Sequence, residues 1–378
     1  MPPQNDWLAQ SIEMIREAKA TGQSLRFEGF GSKNFYGQPP NPASRLLSTR
    51  AYSGIVDYDP TELVVVVKSG TPITELESVL SQSGQMLAFE PPRFGGLGSA
   101  GGMIATGLSG PRRLSAGAAK DFILGVTMVD TQCVQLRFGG TVMKNVAGYD
   151  LSRLNTGAMG ILGLLVDLSL KVLPKPPAEE TIEFEVSADE SIDWVNAWGG
   201  KPYPISATCW ISGRLFVRLS GAFAAVRAAK EKLGGQLLSD SKANPFWVGI
   251  RDHSDGFFSL DSDDPETALW RISVPTASAH ITGLMDAQCI EWGGGLRWIK
   301  TSAPAQQIRE IARALGGHAT LFRTVHPEMR ARIGAFSEIS PAIMKIHQRL
   351  KQALDTNSLF NPGRLIAGLG ARCFNQTD

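Results

Sequence analysis

The sequence has few cysteines, no excess of charge of either sign and no long apolar run. Its four cysteines, Cys133, Cys209, Cys289 and Cys373, lie roughly 80 residues apart, a spacing that excludes a compact disulfide framework or a metal knuckle. Lys and Arg number 37 against 36 Asp and Glu, so no overall field attracts nucleic acid or an anionic membrane. Apolar runs fall far short of the ~18 residues of a membrane span, and the start lacks the features of a signal peptide. We therefore expect a cytoplasmic protein that touches a membrane only through partners.

Glycine is the residue in excess. The chain has 40 glycines among 378 residues, above the usual ~7%, without the period of collagen or a low-complexity tract. A length above ~250 to 300 residues also predicts more than one domain. The glycines must therefore serve particular positions within an ordinary globular chain.

The pattern of strands and helices changes at a proline cluster, Pro174-Lys175-Pro176-Pro177. Before it, the four consecutive valines Val64–Val67 predict a strand covered on both faces, followed by a helix from Thr71 to about Ser83. After it, alternating apolar residues predict two tandem strand-helix-strand-strand-helix units forming one antiparallel sheet backed by helices. The second unit includes a predicted helix at 277–286. The fold class is therefore α+β.

The densest glycine segment runs from Pro91 to Gly110. Without Cβ atoms, successive backbone N–H groups can converge on an anion, and the chain can approach a flat ring closely. Met103, Ile104 and Leu108 stand at helical spacing, which predicts a short helix opening just after Gly101-Gly102, and such a start favours a phosphate. A long flexible loop is the alternative interpretation.

Two further segments are weaker by themselves. Residues 29–34 (Gly-Phe-Gly-Ser-Lys-Asn) follow a predicted strand but match neither the dinucleotide fingerprint of a Rossmann fold nor a P-loop. Residues 144–151 and 155–163 place small residues before a predicted strand at 162–172, which suits either a ligand against the backbone or tight strand packing. Each segment alone leaves both interpretations open.

In this order, and closed by residues 170–176 (Leu-Lys-Val-Leu-Pro-Lys-Pro), the three segments resemble the FAD domain of the vanillyl-alcohol oxidase and p-cresol methylhydroxylase superfamily. Within it the chain is most similar to flavin-binding subunits of bacterial glycolate oxidases, including its ending at 359–365 (Leu-Phe-Asn-Pro-Gly-Arg-Leu). The resemblance implies an FAD-binding domain of two subdomains at 1–177, a cap domain at 178–335, and a C-terminal helix and tail at 336–378 that return to the FAD domain.

The resemblance also implies the residues that contact FAD. The first loop corresponds to Gly29, Phe30, Gly31, Ser32 and Lys33, and the second to Gly98, Ser99, Ala100, Gly101, Gly102, Ala105, Thr106, Ser109 and Gly110. The third segment contributes Gly148, Asp150, Gly160, Ile161 and Leu162. Where some members attach the flavin covalently through a histidine, this chain has Ser32, which implies noncovalent FAD.

The sequence departs from the family in two places. Many relatives have Ser-Glu-Gly where this chain has Ala158-Met159-Gly160, and the cap motif His-x-Gly-Asp-Gly-Asn-x-His of catalytic subunits is missing. No metal site is expected, and no catalytic residue is assigned. The remaining candidates for substrate contact are the cap arginines, which lie on or beside predicted strands: Arg214, Arg218, Arg271, Arg297 and Arg323.

The resemblance implies a component of a multi-subunit glycolate (2-hydroxy acid) oxidase, in which glycolate is oxidised to glyoxylate. A catalytic flavoprotein subunit and an iron–sulfur subunit are the implied partners, since the chain has no closely spaced cysteines to hold a cluster. Two alternatives stay open: a self-sufficient flavin oxidase with an unrecognised base, and a non-catalytic assembly subunit.

Overall fold

The computed structural model describes residues 4–142, 150–260, 264–284 and 287–370. Before the proline cluster the helices are α1 Gln4–Thr21, α2 Ile73–Gln82, α3 Ala100–Thr106, α4 Arg113–Ala116 and α5 Leu151–Leu154. The strands there are β1 Leu25–Glu28, β2 Arg45–Ser48, β3 Ile55–Asp59, β4 Val64–Lys68, β5 Gln85–Met86, β6 Ile123–Val129, β7 Gln135–Gly139, β8 Leu164–Lys171 and β9 Leu173–Pro174.

Beyond the cluster the helices are α6 Ala188–Gly199, α7 Phe223–Leu233, α8 Asp240–Asp252, α9 Ala305–Ala314, α10 Pro327–Ile333 and α11 Pro341–Leu354. The strands are β10 Ala178–Glu185, β11 Ile205–Ile211, β12 Arg214–Gly221, β13 Gln236–Leu238, β14 Ala268–Ser273, β15 Gln288–Glu291, β16 Leu296–Thr301 and β17 His318–Thr324. Short 3₁₀ turns lie at 119–121, 256–258 and 292–294.

Among the described residues, the first region of the chain contains two main sheets with separate cores, besides the short pair β5-β9. Strands β1 and β2 pair in parallel and pack with α1, while β3-β4-β8-β6-β7 form an antiparallel sheet. Val64 and Val65, which point to opposite faces of β4, are both buried, as a strand covered on both faces requires. Helices α2 and α3 pack on this second sheet, and α3 brings Ala100, Met103 and Ile104 of the glycine segment into its core.

Helix α3 lies within the glycine segment. Ser99 is its N-cap and accepts a hydrogen bond from Gly102 N at 3.1 Å, and Gly107 ends it with a left-handed φ of 62°. The predicted helix is therefore present, but it begins at Ala100, so that Gly101 and Gly102 lie in its first turn. Because the Ser99 side chain caps the helix, α3 begins earlier in the chain than the apolar spacing predicts.

The cap region forms one antiparallel sheet, in the order β13-β10-β12-β11-β15-β16-β14-β17 among the described residues. The prediction of an antiparallel sheet backed by helices is confirmed. The helix predicted at 277–286 is wrong, since the described part, 277–284, is irregular. Ile281 and Leu284 mimic helical spacing but are buried against the sheet. The Ser278 carbonyl accepts from Arg297 and the Ile281 carbonyl from Gln288, so side chains satisfy this backbone.

The C-terminal segment packs against the first part of the chain. After α11, Leu25 N donates to Leu359 O at 2.7 Å and Asn361 N donates to Leu25 O at 2.9 Å. Lys351, buried in α11, donates to the carbonyls of Ile161 and Phe360. These contacts bring the tail beside β1; the domain boundaries at 177 and 335 stay predictions.

No helix among the described residues is long and apolar enough to cross a bilayer.

Candidate flavin site

A cleft of about 110 Å³ lies where the first loop, the glycine segment and the start of β8 meet. It is lined by residues from four stretches of the chain, namely Phe27 to Asn34, Ser99 to Thr106, Met159 to Leu165, and the tail residues Asn361 and Arg364, with Thr49 and Ser69 beneath. Elements far apart in sequence thus share one cleft.

Glycines allow the walls of this cleft to pack on each other. A Cβ on Gly29 would lie 2.2 Å from Ser99 Oγ, and one on Gly101 would lie 2.9 Å from Ser69 Cβ. A Cβ on Gly98 would meet Ile73 at 2.6 Å and Lys33 Nζ at 3.0 Å. Real Cβ atoms do not approach so closely, so the first and second loops can meet only because these residues lack side chains.

Lys33 is the charge at the centre of the cleft. Its side chain is buried, and its ammonium makes no hydrogen bond with the described residues. Burial lowers its pKa to about 8, and the nearby Asp252 partly opposes this. The ammonium lies 5.8 Å from the centre of the Phe94 ring. A buried cation without a partner is costly, and an anionic ligand in the cleft would remove that cost.

Two groups from the C-terminal tail complete the cleft. Asn361 accepts a hydrogen bond from Phe27 N at 3.0 Å and donates to Met159 O at 2.8 Å, which joins β1, just before the first loop, to the third segment. Arg364 donates to the carbonyls of Gln38 and Asn34, and burial lowers its pKa to about 10. Asn361 and Arg364 are not among the predicted contact residues, although the Asn-Pro-Gly-Arg ending is part of the family resemblance.

The structure brings most of the predicted contact residues to this cleft. Its lining includes Gly29, Phe30, Gly31, Ser32, Lys33, Ser99, Gly101, Gly102, Ala105, Thr106 and Gly160. Gly98 lies against the ammonium of Lys33, and Ala100, the first residue of α3, is fully buried. As contacts of FAD these residues stay predictions.

The remaining predicted residues lie elsewhere. Ile161 and Leu162 are buried in an apolar core, and Asp150 caps α5 by accepting from Arg153 N at 3.0 Å. Gly148, with most of the 144–151 segment, lies outside the described residues. Ser109 and Gly110 line a second pocket. The spacing along the chain could not distinguish residues that face the cleft from those that support it.

The second pocket, which we call the cap pocket, is a small cavity of about 20 Å³ between the end of the glycine segment and the cap sheet. Its polar side chains include His253, Arg271 and Glu291, beside Phe94 and Trp298. Burial raises the pKa of Glu291 to about 7, opposed by a hydrogen bond from Trp298 Nε1 at 2.7 Å. Burial lowers the pKa of His253 well below its usual value, and Arg323 and Arg271 lower it further.

Of the five candidate cap arginines, Arg271 alone lines the cap pocket. Arg218 is buried in ion pairs with Glu90, 2.9 Å away, and Glu179, and Arg297 is buried behind the sheet with one bond to Ser278 O. Arg214 is exposed near Glu183, and Arg323 lies over the rings of Phe35 and Phe94. Among the described residues no group of three His, Cys, Asp or Glu side chains could hold a metal ion.

The cleft suits a dinucleotide with a pyrophosphate and a flat ring. Lys33 supplies an unpaired cation, Ser69 supplies a buried hydroxyl without a hydrogen-bond partner among the described residues, and the glycines leave backbone exposed for close approach. When bound, FAD supplies hydride and electron transfer chemistry. Fold and site together define an FAD-binding flavoprotein of the p-cresol methylhydroxylase type.

Comparison with known proteins supports this class. The FAD binding domain family matches residues 8–153. A solved p-cresol methylhydroxylase with substrate bound superposes with a TM-score of 0.66 at 13% identity, covering 95% of this chain and 87% of that one, which establishes the fold. The predicted FAD cofactor is confirmed by the domain match.

The sequence is 43% identical to the glycolate oxidase subunit GlcE of Escherichia coli (strain K12), over 96% of this chain and 99% of that protein. The chain therefore belongs to the GlcE family. It is also 29% identical to the glycolate oxidase subunit GlcD of Bacillus subtilis (strain 168), over 41% of this chain and 33% of that protein.

Proposed function

We propose that the chain is the FAD-binding subunit of a multi-subunit glycolate oxidase, which oxidises glycolate or a closely related 2-hydroxy acid to the 2-oxo acid. The observation that carries the proposal is the 43% identity with GlcE along nearly the whole of both chains. The cleft around Lys33 provides the place for the cofactor that this reaction needs.

The partners in this proposal are a catalytic flavoprotein subunit and an iron–sulfur subunit. The similarity to GlcD supports a flavoprotein partner of the same fold. Electrons that reach FAD need an acceptor, and an iron–sulfur subunit is suited to receive them one at a time. A cytoplasmic location, with membrane contact through partners, is part of the same proposal.

The role of this chain is to hold FAD and position it for its partners. The Lys33 ammonium would hold the pyrophosphate, and the backbone of Gly101 and Gly102 would be open to it. Asn361 holds β1, which leads into the first loop, to the third segment. A self-sufficient oxidase is the second candidate, favoured by the ionisable groups Arg271 and Glu291 in the cap pocket.

The test is to purify the complex through a tag on this chain and to measure FAD content and glycolate-dependent reduction of a dye. We expect FAD in this subunit, co-purified flavoprotein and iron–sulfur subunits, and activity that is lost when this chain is deleted. Full activity in the complex that lacks this chain would overturn the proposal. Flavin bleaching by glycolate in the isolated chain would favour the second candidate.

A further inference from the structure

A carboxylate of the cap region contacts the loop that borders the flavin cleft. Asp252 is the last residue of α8, and its Oδ1 accepts a hydrogen bond from the backbone N of Arg93 at 2.8 Å. The two residues are 159 positions apart in the chain. Because Arg93 belongs to the glycine segment, this bond ties part of the flavin-binding backbone to the cap region.

The residues that follow Arg93 lie against Lys33. The centre of the Phe94 ring is 5.8 Å from Lys33 Nζ, and a Cβ on Gly98 would be 3.0 Å from the same atom. We call residues 94–98 the cover segment, because both of its ends approach this one ammonium. Lys33 is 7% exposed, and the cover segment supplies part of that burial.

The cover segment is anchored near its two ends and is open between them. Residues 95–97 are exposed, and a Cβ on either glycine there would meet no described atom within 4 Å. Ile73 N donates to Gly98 O at 2.8 Å and anchors the far end. Asp252 anchors the near end. The position of the segment over the ammonium therefore depends on a residue of the cap region.

Two residues with left-handed backbone conformation flank this hydrogen bond. Phe94 follows Arg93 with a φ of 47°, and His253 follows Asp252 with a φ of 55°. Their rings meet edge to face with centres 5.2 Å apart. Residues other than glycine adopt this conformation at a cost and keep it where surrounding contacts hold them. The bond from Arg93 N to Asp252 is such a contact, because it joins the residues just before both.

Asp252 also connects the ammonium in the cleft to a group of paired charges. Arg251 Nη2 lies 2.8 Å from Asp252 Oδ2, and Arg93 Nη2 lies 3.4 Å from the same oxygen. Glu77 faces both arginines, 3.4 Å from Arg93 and 3.8 Å from Arg251. Burial raises the pKa of Glu77, and the two arginines oppose this. Burial lowers the pKa of Lys33, and the charge of Asp252 opposes that change.

We propose that Asp252 is a positioning residue of the flavin site: it holds the cover segment over Lys33, and its charge acts on the ammonium that meets the pyrophosphate. The inference deepens the proposed function and rests on it, since FAD is the ligand that this ammonium binds. It gives the cap region a part in binding the cofactor.

The test measures FAD binding by the apoprotein between pH 6 and 9, by flavin fluorescence, in the wild type and three variants. Asp252→Asn keeps an oxygen that can accept from Arg93 N and removes the charge, whereas Asp252→Ala removes both. Asp240→Asn, at the exposed start of the same helix, is the matched control for the loss of one negative charge.

The two substitutions of Asp252 should have different effects. Asp252→Asn should bind FAD at least as tightly as the wild type at pH 6, where Lys33 carries its proton in both. Its affinity should begin to fall below pH 8, where the wild type is still constant, because the ammonium loses its proton more readily without the carboxylate. Asp252→Ala should bind FAD about 2- to 10-fold more weakly than Asp252→Asn at pH 6, the effect of one lost hydrogen bond.

Two further measurements separate the anchor from the charge. Hydrogen exchange of the apoprotein reports the anchor without FAD: the amides of residues 93–98 should exchange faster in Asp252→Ala and at the wild-type rate in Asp252→Asn and the control. Adding Asp252→Asn to Lys33→Met should leave the pH profile of Lys33→Met unchanged, because the charge of Asp252 acts through Lys33.

The outcomes distinguish this inference from the proposed function. A wild-type apoprotein that does not bind FAD contradicts the proposed function. Binding of FAD with the wild-type pH profile in Asp252→Asn, or a shifted profile that persists when Lys33 is methionine, overturns the present inference alone. Exchange of residues 93–98 at the wild-type rate in Asp252→Ala also overturns it. If the alanine variant does not fold, the pH profiles of Asp252→Asn and of the double variant decide the question.

Discussion

Replacing Lys33 by methionine should stabilise the protein without FAD and weaken FAD binding at the same time. The pKa of Lys33 is lowered from 10.5 to about 8, a difference of about 2.5 pH units, or about 3 kcal/mol at 1.36 kcal/mol per unit. This is the order of magnitude by which burial of the unpaired ammonium destabilises the empty fold at pH 7. Methionine fills the same space without a charge, so thermal unfolding of the apoprotein should occur at higher temperature.

The same substitution removes a charged hydrogen bond to the cofactor, worth about 1.5 to 3 kcal/mol. FAD affinity at pH 7 should therefore fall by about 10- to 100-fold. In the wild type, affinity should be constant below pH 8, where Lys33 is charged with and without ligand. Above pH 8 the free protein loses this proton and must regain it on binding, so affinity should fall by up to tenfold per pH unit.

Flavin fluorescence titrations of the apoprotein between pH 6 and 9 measure both effects, and Lys33→Met reports any pH dependence from other groups. Asp252 is the charged group that acts on Lys33. The reasoning is refuted if Lys33→Met binds FAD as tightly as the wild type at pH 7, or if both proteins show the same slope above pH 8.

Three further expectations concern the cleft and its support. Gly29→Ala should abolish FAD retention, because the new Cβ would lie 2.2 Å from Ser99 Oγ, while Gly199→Ala, with open space around it, should retain FAD in the same spectrophotometric assay. Lys351→Met should lower the free energy of unfolding in urea by about 3 to 5 kcal/mol, because it leaves the buried Asp355 without its ion-pair partner. Lys345→Met, at an exposed position of the same helix, should change this free energy little. Equal effects of the two substitutions would contradict the role of the buried pair. Acid precipitation should release the yellow cofactor, and flavin retained on the denatured chain would contradict noncovalent binding.

The sequence alone was informative where local chemistry decides the structure. The valines of β4 and the helical spacing after Gly101 each predict an element that the structure contains. The segment at 277–284 is where this reasoning was wrong, because Ile281 and Leu284 are buried by the sheet beneath them rather than by a helix of their own. Short apolar spacings do not distinguish these two cases.

For the candidate site, too, the sequence indicates some features and only the tertiary structure shows the others. The glycines at 98 and 101 are a property of the sequence, and they indicate that the glycine segment can bind an anion. The role of Gly29 in the first loop follows only from the family resemblance. Only the tertiary structure decided that Lys33 is buried without a hydrogen-bond partner among the described residues and that Asn361 contacts Phe27, 334 positions away in the chain. It also decided that Arg271 rather than the other candidate cap arginines lines the pocket beside Glu291. Burial, pairing and pKa depend on which distant strands lie side by side, and no local pattern of residues records that arrangement.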